Sequence, residues 1–325
     1  MTRGTSSASP ATDRASFMEI RVIGRGALAG LIAGVLGFVF ARIWAEPVID
    51  KAIDYESGRD DILAALNTAA GRPVAPDGPE IFSRTMQSTV GIATGIIAFS
   101  VAMGALVAVA YLVLHGRFGV RPQTLAWLIC GFGFLGVYLL PYVKYPANPP
   151  AIGHTFTIVT RGQLYLTMVA ASLILLGLAV FVARRLRPRL GLYGAVLVAT
   201  PGFFVLYGVL FAVMPSPGDL SANTAHADQF GFAQASTETP QPITNILSTP
   251  FTVDGKTIAP GQIAYPGFDA DVLWKFRWYS LLNQLLVWIT IALVFAALID
   301  RLVVGPAQPE SAPAEGEKPP PSHRS

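Results

Sequence analysis

Arg42, Glu46 and Asp50 stand four residues apart, the interval that sets side chains on one face of an α-helix. Two carboxylates with a guanidinium as internal counter-charge, placed where an apolar run ends, have the chemistry to attract and pass a cation. Asp54 extends the series by one further turn. The same residues also suit an interfacial ion pair, Arg42 with Glu46, that anchors a helix end, and both readings stand. Pro47 lies among them and lacks a backbone N–H, so the helix is expected to bend or restart there. His154 and His226, the latter near Asp219 and Asp228, make an imidazole and carboxylate set that suits a borderline divalent ion such as cobalt or nickel. An isolated loop histidine is more often an ordinary polar residue, and no His-x-x-x-His, Cys-x-x-Cys or Glu-x-x-His spacing accompanies these two. The single cysteine, Cys130, excludes an intramolecular disulfide and any multi-cysteine zinc or iron–sulfur centre.

Enzymatic motifs are missing. There is no Walker A loop, no Rossmann fingerprint and no Gly-x-Ser-x-Gly elbow, so nucleotide-driven work would fall to another subunit. The reading is of a protein that is not an enzyme and holds no bound cofactor. A net charge of +3, scattered in short basic clusters, does not point to nucleic acid.

The elements that must position these residues are apolar. Six runs, Ile23–Trp44, Ser88–His115, Thr124–Val143, Gln163–Ala183, Leu192–Met214 and Tyr279–Ile299, each approach or exceed the ~20 residues a helix needs to cross ~30 Å of hydrocarbon. Hydrophobic residues make up 52% of the chain and charged ones 13%, with a mean hydropathy of +0.51. The expected fold is therefore an all-α integral membrane protein: a bundle of six transmembrane helices, short interfacial helices and one long outer loop. The membrane domain is placed at 18–303, between polar tails at 1–17 and 304–325 that are not expected to fold. The first run exceeds a signal-peptide core and is read as a retained anchor.

Basic residues fall into alternate connections. Arg3, Arg14 and Arg21 precede the first run and Arg25 lies at its start, Arg117 and Arg121 follow the second, Arg184, Arg185, Arg187 and Arg189 follow the fourth, and Arg301 follows the sixth. The positive-inside rule then puts both termini in the cytoplasm and the three longer loops outside, in a cytoplasmic membrane. In the first outer loop a surface helix is expected from Pro47, followed by a second from Asp60 or Asp61 that stops at Gly71. The outer loop at 215–278 includes Asp254-Gly255, which reads as the type I′ turn of a hairpin over Phe251–Ile258. Leu140–Pro150 ends the third run in a dense set of prolines, suited either to lining a polar cavity or to a rigid, Tyr-anchored exit from the bilayer. Gly26, Gly30 and Gly34, Gly91 and Gly95, and Gly131, Gly133 and Gly136 are read as points of close helix packing.

Four stretches, EPVIDKAIDYE at Glu46–Glu56, SRTMQSTVGIATG at Ser83–Gly95, YLLPYVKYPANPPAIG at Tyr138–Gly153 and DADVLWKFR at Asp269–Arg277, resemble the CbtA family of probable cobalt-transporter subunits. The resemblance implies a subunit of a cobalt uptake system linked to cobalamin synthesis, with cobalt as the transported ion. It also implies a small single-pass partner, CbtB-like, that carries a His-rich stretch. On it, Glu46, Asp50, Asp54, Arg84, Gln87, Lys144, Asn148, Asp271, Trp274 and Arg277 occupy family motif positions, with ligand, gate and scaffold roles all open. The segment from Ser216 to Pro266 is a departure from the family pattern. The residues proposed for an ion pathway are Glu46, Asp50, Asp54, His154 and His226; Arg42, Arg84, Gln87, Lys144, Asn148, Asp271, Trp274 and Arg277 are assigned structural or gating roles. A non-conducting scaffold for another transporter is the alternative, and a membrane-embedded enzyme ranks last.

Overall fold

The computed structural model describes residues 10–74, 82–150, 152–227 and 235–303, with side chains from 18 to 301. Of the tail expected at 1–17, residues 1–9 lie outside the described residues, as do the tail expected at 304–325 and Asp228, whereas 10–17 are helical. The chain is mostly helical, 76%, and among the described residues five helices are long and apolar enough to cross a membrane.

The first long helix is α1 (Pro10–Phe40), a π-helical turn at Ala41–Ala45, and α2 (Glu46–Ala69) in unbroken succession. Pro47 sits at the start of α2, where its missing N–H and its ring would conflict with the carbonyl four residues back. The wider π turn just before it absorbs that conflict. The two short helices expected after Trp44 are thus one helix of 24 residues, about 36 Å long, that projects past the apolar run. It ends as expected at Gly71, where Gly71 N–H donates to the Thr68 carbonyl and Arg72 N–H to the Asn67 carbonyl, the paired bonds of a Schellman cap.

A short helical turn, α3 (Arg84–Met86), a second π turn (Gln87–Gly91) and α4 (Ile92–Leu114) form the next long helix. α1 and α4 make the closest crossing: a Cβ on Gly26 would run into the Gly104 carbonyl, and one on Gly30 into the Ser100 carbonyl. In lipid, where apolar burial drives no association, such close approach is the main source of helix affinity. Of the glycines expected to mark packing, Gly133 and Gly136 also face side chains, of Trp288 and Leu173, whereas Gly95 and Gly131 face open space.

α5 (Pro122–Gly133), a third π turn (Phe134–Leu139) and α6 (Leu140–Lys144) complete the third long helix. Pro141 has no N–H for the Val137 carbonyl, and Tyr165 Oη donates to that carbonyl at 3.3 Å. Tyr207 Oη donates to the Leu140 carbonyl at 2.7 Å.

Those two bonds decide the path of α7 (Ile158–Val213), a helical segment of 56 residues interrupted only at Gly191, where φ is 69° and ψ 179°. An unbroken helix would hold Tyr165 and Tyr207 about 63 Å apart, yet both reach carbonyls one turn apart on the third helix. The segment therefore folds back at Gly191, a backbone geometry that a side chain would oppose. The loop expected over Arg184–Gly191 is helix up to this single hinge residue.

α9 (Ala270–Val303) runs through the middle. Its Val287, Trp288, Ile291, Phe295 and Ile299 join Val22, Ala29 and Ala33 of α1, Val107 and Tyr111 of α4 and Leu125 of α5 in the main core. Asp269 Oδ1 accepts the Asp271 N–H at 2.8 Å and caps its start.

The long loop before α9 has its own structure. After Pro217–Asp219 and α8 (Ser221–Thr224), β1 (Ile243–Thr244) pairs antiparallel with β4 (Ile263–Tyr265), and β2 (Phe251–Val253) with β3 (Lys256–Ile258). The expected hairpin forms, with Asp254 and Gly255 both at positive φ. Ile243, Phe251 and Ile258 pack on Ile62 and Leu66 of α2 in a small separate core.

Candidate functional site

The ends of α1, the third helix and α9, the start of α7 and the long loop all meet at one end of the bundle. Arg184 lies at the other, donating to the Arg117 carbonyl at 3.3 Å and stacked 4.7 Å from the Phe118 ring.

At the first of these ends Glu46, the first residue of α2, is 1% exposed. Arg84, at the start of the second long helix, donates Nη2 to Glu46 Oε1 and, at 2.7 Å, to Asp50 Oδ1. One guanidinium thus bridges two carboxylates a helical turn apart, in the charge-assisted form that is stronger than a neutral hydrogen bond. The bridge is incomplete: Glu46 Oε2 and Arg84 Nε are buried without a hydrogen-bond partner among the described residues. Asp50 is exposed, as is Asp54 one turn further on. Arg42, proposed as the partner of Glu46, is exposed and takes no part in the bridge. Gln87 sits in the π turn beside Arg84 and donates to the Phe82 carbonyl at 3.0 Å, fixing the start of that helix.

The proline-rich segment forms a second cluster. Arg277 of α9 donates to Asn148 Oδ1 at 2.8 Å and to the Ala147 carbonyl at 3.4 Å, and Asn148 Nδ2 reaches the Thr237 carbonyl at 3.4 Å. Tyr142 Oη donates to the Arg277 carbonyl and Tyr145 Oη to the Pro215 carbonyl, both at 2.8 Å. Lys144 lies 4.6 Å from the Phe211 ring centroid and lines, with Tyr138, Tyr145 and Arg161, a cavity of 340 Å³. Asp271 is exposed in the first turn of α9, where its charge complements the helix dipole. Trp274 is exposed and stacks on Trp278, 6.1 Å between ring centres.

His154 and His226 do come together, both stacked on the Phe156 ring, with ring centres 5.0 and 3.9 Å from it. Among the described residues no three His, Cys, Asp or Glu side chains are placed to hold a metal, although His154 Nδ1 lies 4.0 Å from Glu238 Oε1. His154 Nδ1 meets Asn223 Oδ1 at 2.7 Å, and His226 Nδ1 the Ala222 carbonyl at 2.7 Å. Both partners only accept, so each ring donates from Nδ1.

What holds this corner is a residue that sequence reasoning missed. Glu238, also 1% exposed, accepts the His154 N–H at 3.0 Å and Thr157 Oγ1 at 2.9 Å on Oε2, and Asn223 Nδ2 at 2.8 Å on Oε1. Arg161 Nε lies 3.4 Å from Oε2, close enough for an ion pair though not aligned for a hydrogen bond. Nothing in the local sequence marks Glu238, whose partners come from three separate elements. Outside the apolar runs, Glu56 on α2 has its pKa raised, first by burial and then by the neighbouring Asp60 carboxylate.

A family model described as "Probable cobalt transporter subunit (CbtA)" matches residues 19–300, enclosing both clusters and the long loop between them. The chain belongs to the CbtA family. No curated protein and no solved structure matches it. The segment 216–266, set apart as a departure from the CbtA pattern, lies within the matched bounds. As a CbtA-family chain with several apolar helices it is a multi-pass membrane protein and a transporter subunit.

Proposed function

We propose that this chain is the membrane subunit of a cobalt uptake transporter that serves cobalamin synthesis, and that Glu46, Asp50 and Arg84 form the ion's first station. The observation that carries this reading is Glu46: a carboxylate buried where an apolar helix ends, with one oxygen on Arg84 and the other unpartnered. Asp50, exposed, meets an arriving dication first. Two carboxylates attract a dication more strongly than they hold one guanidinium, so Arg84 serves as a placeholder that moves aside and returns. Arginine beside a cation path is thereby reconciled with conduction, because here it is paired with acids.

Six crossings follow if each half of α7 spans once, which its reversal at Gly191 supports. Both termini are then cytoplasmic and the Glu46 end faces outward, with the acidic residues of α2 concentrating cations near it. Arg117 and Arg184 at the opposite end fit the positive-inside rule. Asp54 lies on the approach, and His154 and His226 are assigned to the outer corner rather than to direct ligation. The chain is read as a non-enzyme without resident cofactor, working in the cytoplasmic membrane with a small single-pass His-rich partner that delivers the metal.

Radiolabelled cobalt uptake in transport-deficient cells tests the reading. Glu46→Ala with Asp50→Ala is expected to lower uptake by at least about tenfold at normal protein abundance. Uptake at the wild-type rate would leave the non-conducting scaffold as the better account.

A further inference from the structure

Beneath the bridge lies a cavity of 390 Å³ between α1, α4 and α9, lined by Ala41 and Ala45, by Ile96 and Ser100, and by Asn283 and Gln284. Three of its residues carry buried oxygens with no hydrogen-bond partner among the described residues: Ser100 Oγ, Asn283 Oδ1 and Gln284 Oε1. A serine inside a helix commonly bonds back to its own backbone, and Ser100 Oγ does not. Polar atoms left unsatisfied inside apolar helices mark function by default. These three come from two helices and share one space. Small residues, Ala41, Ala45 and Gly95, are among those that line the space.

Position adds to the case. Ala45 and Ile49, which line the cavity, flank Glu46 in the chain, and Glu46 Oε2 is a fourth unpartnered oxygen at the same end. Asn283 and Gln284 follow Tyr279 by about one turn into the apolar run, while Ser100 falls near the middle of its own. The oxygens therefore extend from the interface toward mid-depth.

We infer that Ser100, Asn283 and Gln284 form an intramembrane binding site for a divalent cation, the next station after Glu46, an assignment that rests on the transport reading above. The donors are neutral amide and hydroxyl oxygens, which hold a dication loosely, as passage requires. The volume accommodates an ion that keeps part of its water, at ~30 Å³ per molecule.

Cobalt(II) chloride titrated into the full chain in lipid nanodiscs, with uptake measured in cells carrying the same variants, provides the test. Asn283→Asp sets a carboxylate among the oxygens and is expected to tighten cobalt binding about tenfold or more, a gain that a purely structural role would not produce. Should that variant fail to accumulate, Gln284→Glu gives the same reading. Asn283→Leu with Gln284→Leu is expected to lower uptake at least about tenfold with Glu46 untouched. The inference is overturned if Asn283→Asp and Gln284→Glu both leave cobalt affinity within about twofold of wild type, or if the leucine pair transports normally. Loss of uptake in Glu46→Gln alone would remove the cavity site and keep the transport reading; normal uptake in both variants would remove both.

Discussion

Glu46 and Glu238 are both 1% exposed at the same end of the bundle, and each faces an arginine. Their surroundings differ in completeness. Glu238 has a donor on each oxygen, from Asn223, the His154 backbone and Thr157, with Arg161 alongside. Glu46 has Arg84 on one oxygen and, among the described residues, no partner on the other, and Arg84 is itself about one-third exposed and shared with Asp50. A carboxylate with donors on both oxygens gains less from a new cation and resists its approach. One that is half engaged can exchange its partner. On the proposed reading the contrast separates a latch, which ties the long loop to the start of α7, from a station for the ion.

Glu238→Ala removes four contacts and leaves Arg161 facing a void, so it should show the largest effect, a loss of about 3–5 kcal/mol in stability seen as a lower unfolding midpoint in detergent. Cobalt uptake per folded molecule should be unchanged; a specific loss of transport would erase the distinction. Glu46→Gln should do the reverse, lowering uptake at least about tenfold while its unfolding midpoint stays near that of the wild type. Asn148→Ala sharpens the latch side: losing the 2.8 Å bond from Arg277 and the contact with Thr237 should cost about 1–3 kcal/mol by the same melting measurement.

The smallest expected effect concerns Glu56, outside both clusters. Its folded pKa is raised by burial and by Asp60, so the folded state binds the proton more tightly than the unfolded chain. Its influence is most favourable below the unfolded value of 4.5 and declines as pH rises through the folded value. Glu56→Gln should raise the midpoint slightly near pH 7 and leave it unchanged near pH 4. Because the group is half exposed, solvent screens the effect and the change is small.

Much of this was legible from residue type. Glu46 and Asp50 stood out as charges at the end of an apolar run, Arg84 only as a motif position of the CbtA resemblance, and the Asp254-Gly255 turn and the Gly71 stop followed from local backbone preference. Asn283 and Gln284 are adjacent amides in the last run, but a neutral amide does not stand out from residue type as a charge does. The pairing of Arg84 rather than Arg42 with Glu46 was not legible. Helical spacing favours the neighbour four residues back, and only the packing of the second helix against the first supplies a competitor from elsewhere in the chain. The same holds for Glu238, whose three polar partners are about 15 to 84 residues away.

Hydrophobic run length by itself determined that this chain is a helical membrane protein, because a bilayer requires every backbone group to be satisfied within its own segment. Alternation of basic residues marked two ends of the bundle, because the bias sits in the short connections themselves. Only the tertiary structure decided which carboxylate is saturated and which is left open, that α7 reverses at one glycine, and that three unpartnered oxygens share a cavity. Those depend on contacts between segments far apart in the chain, and no local pattern encodes them.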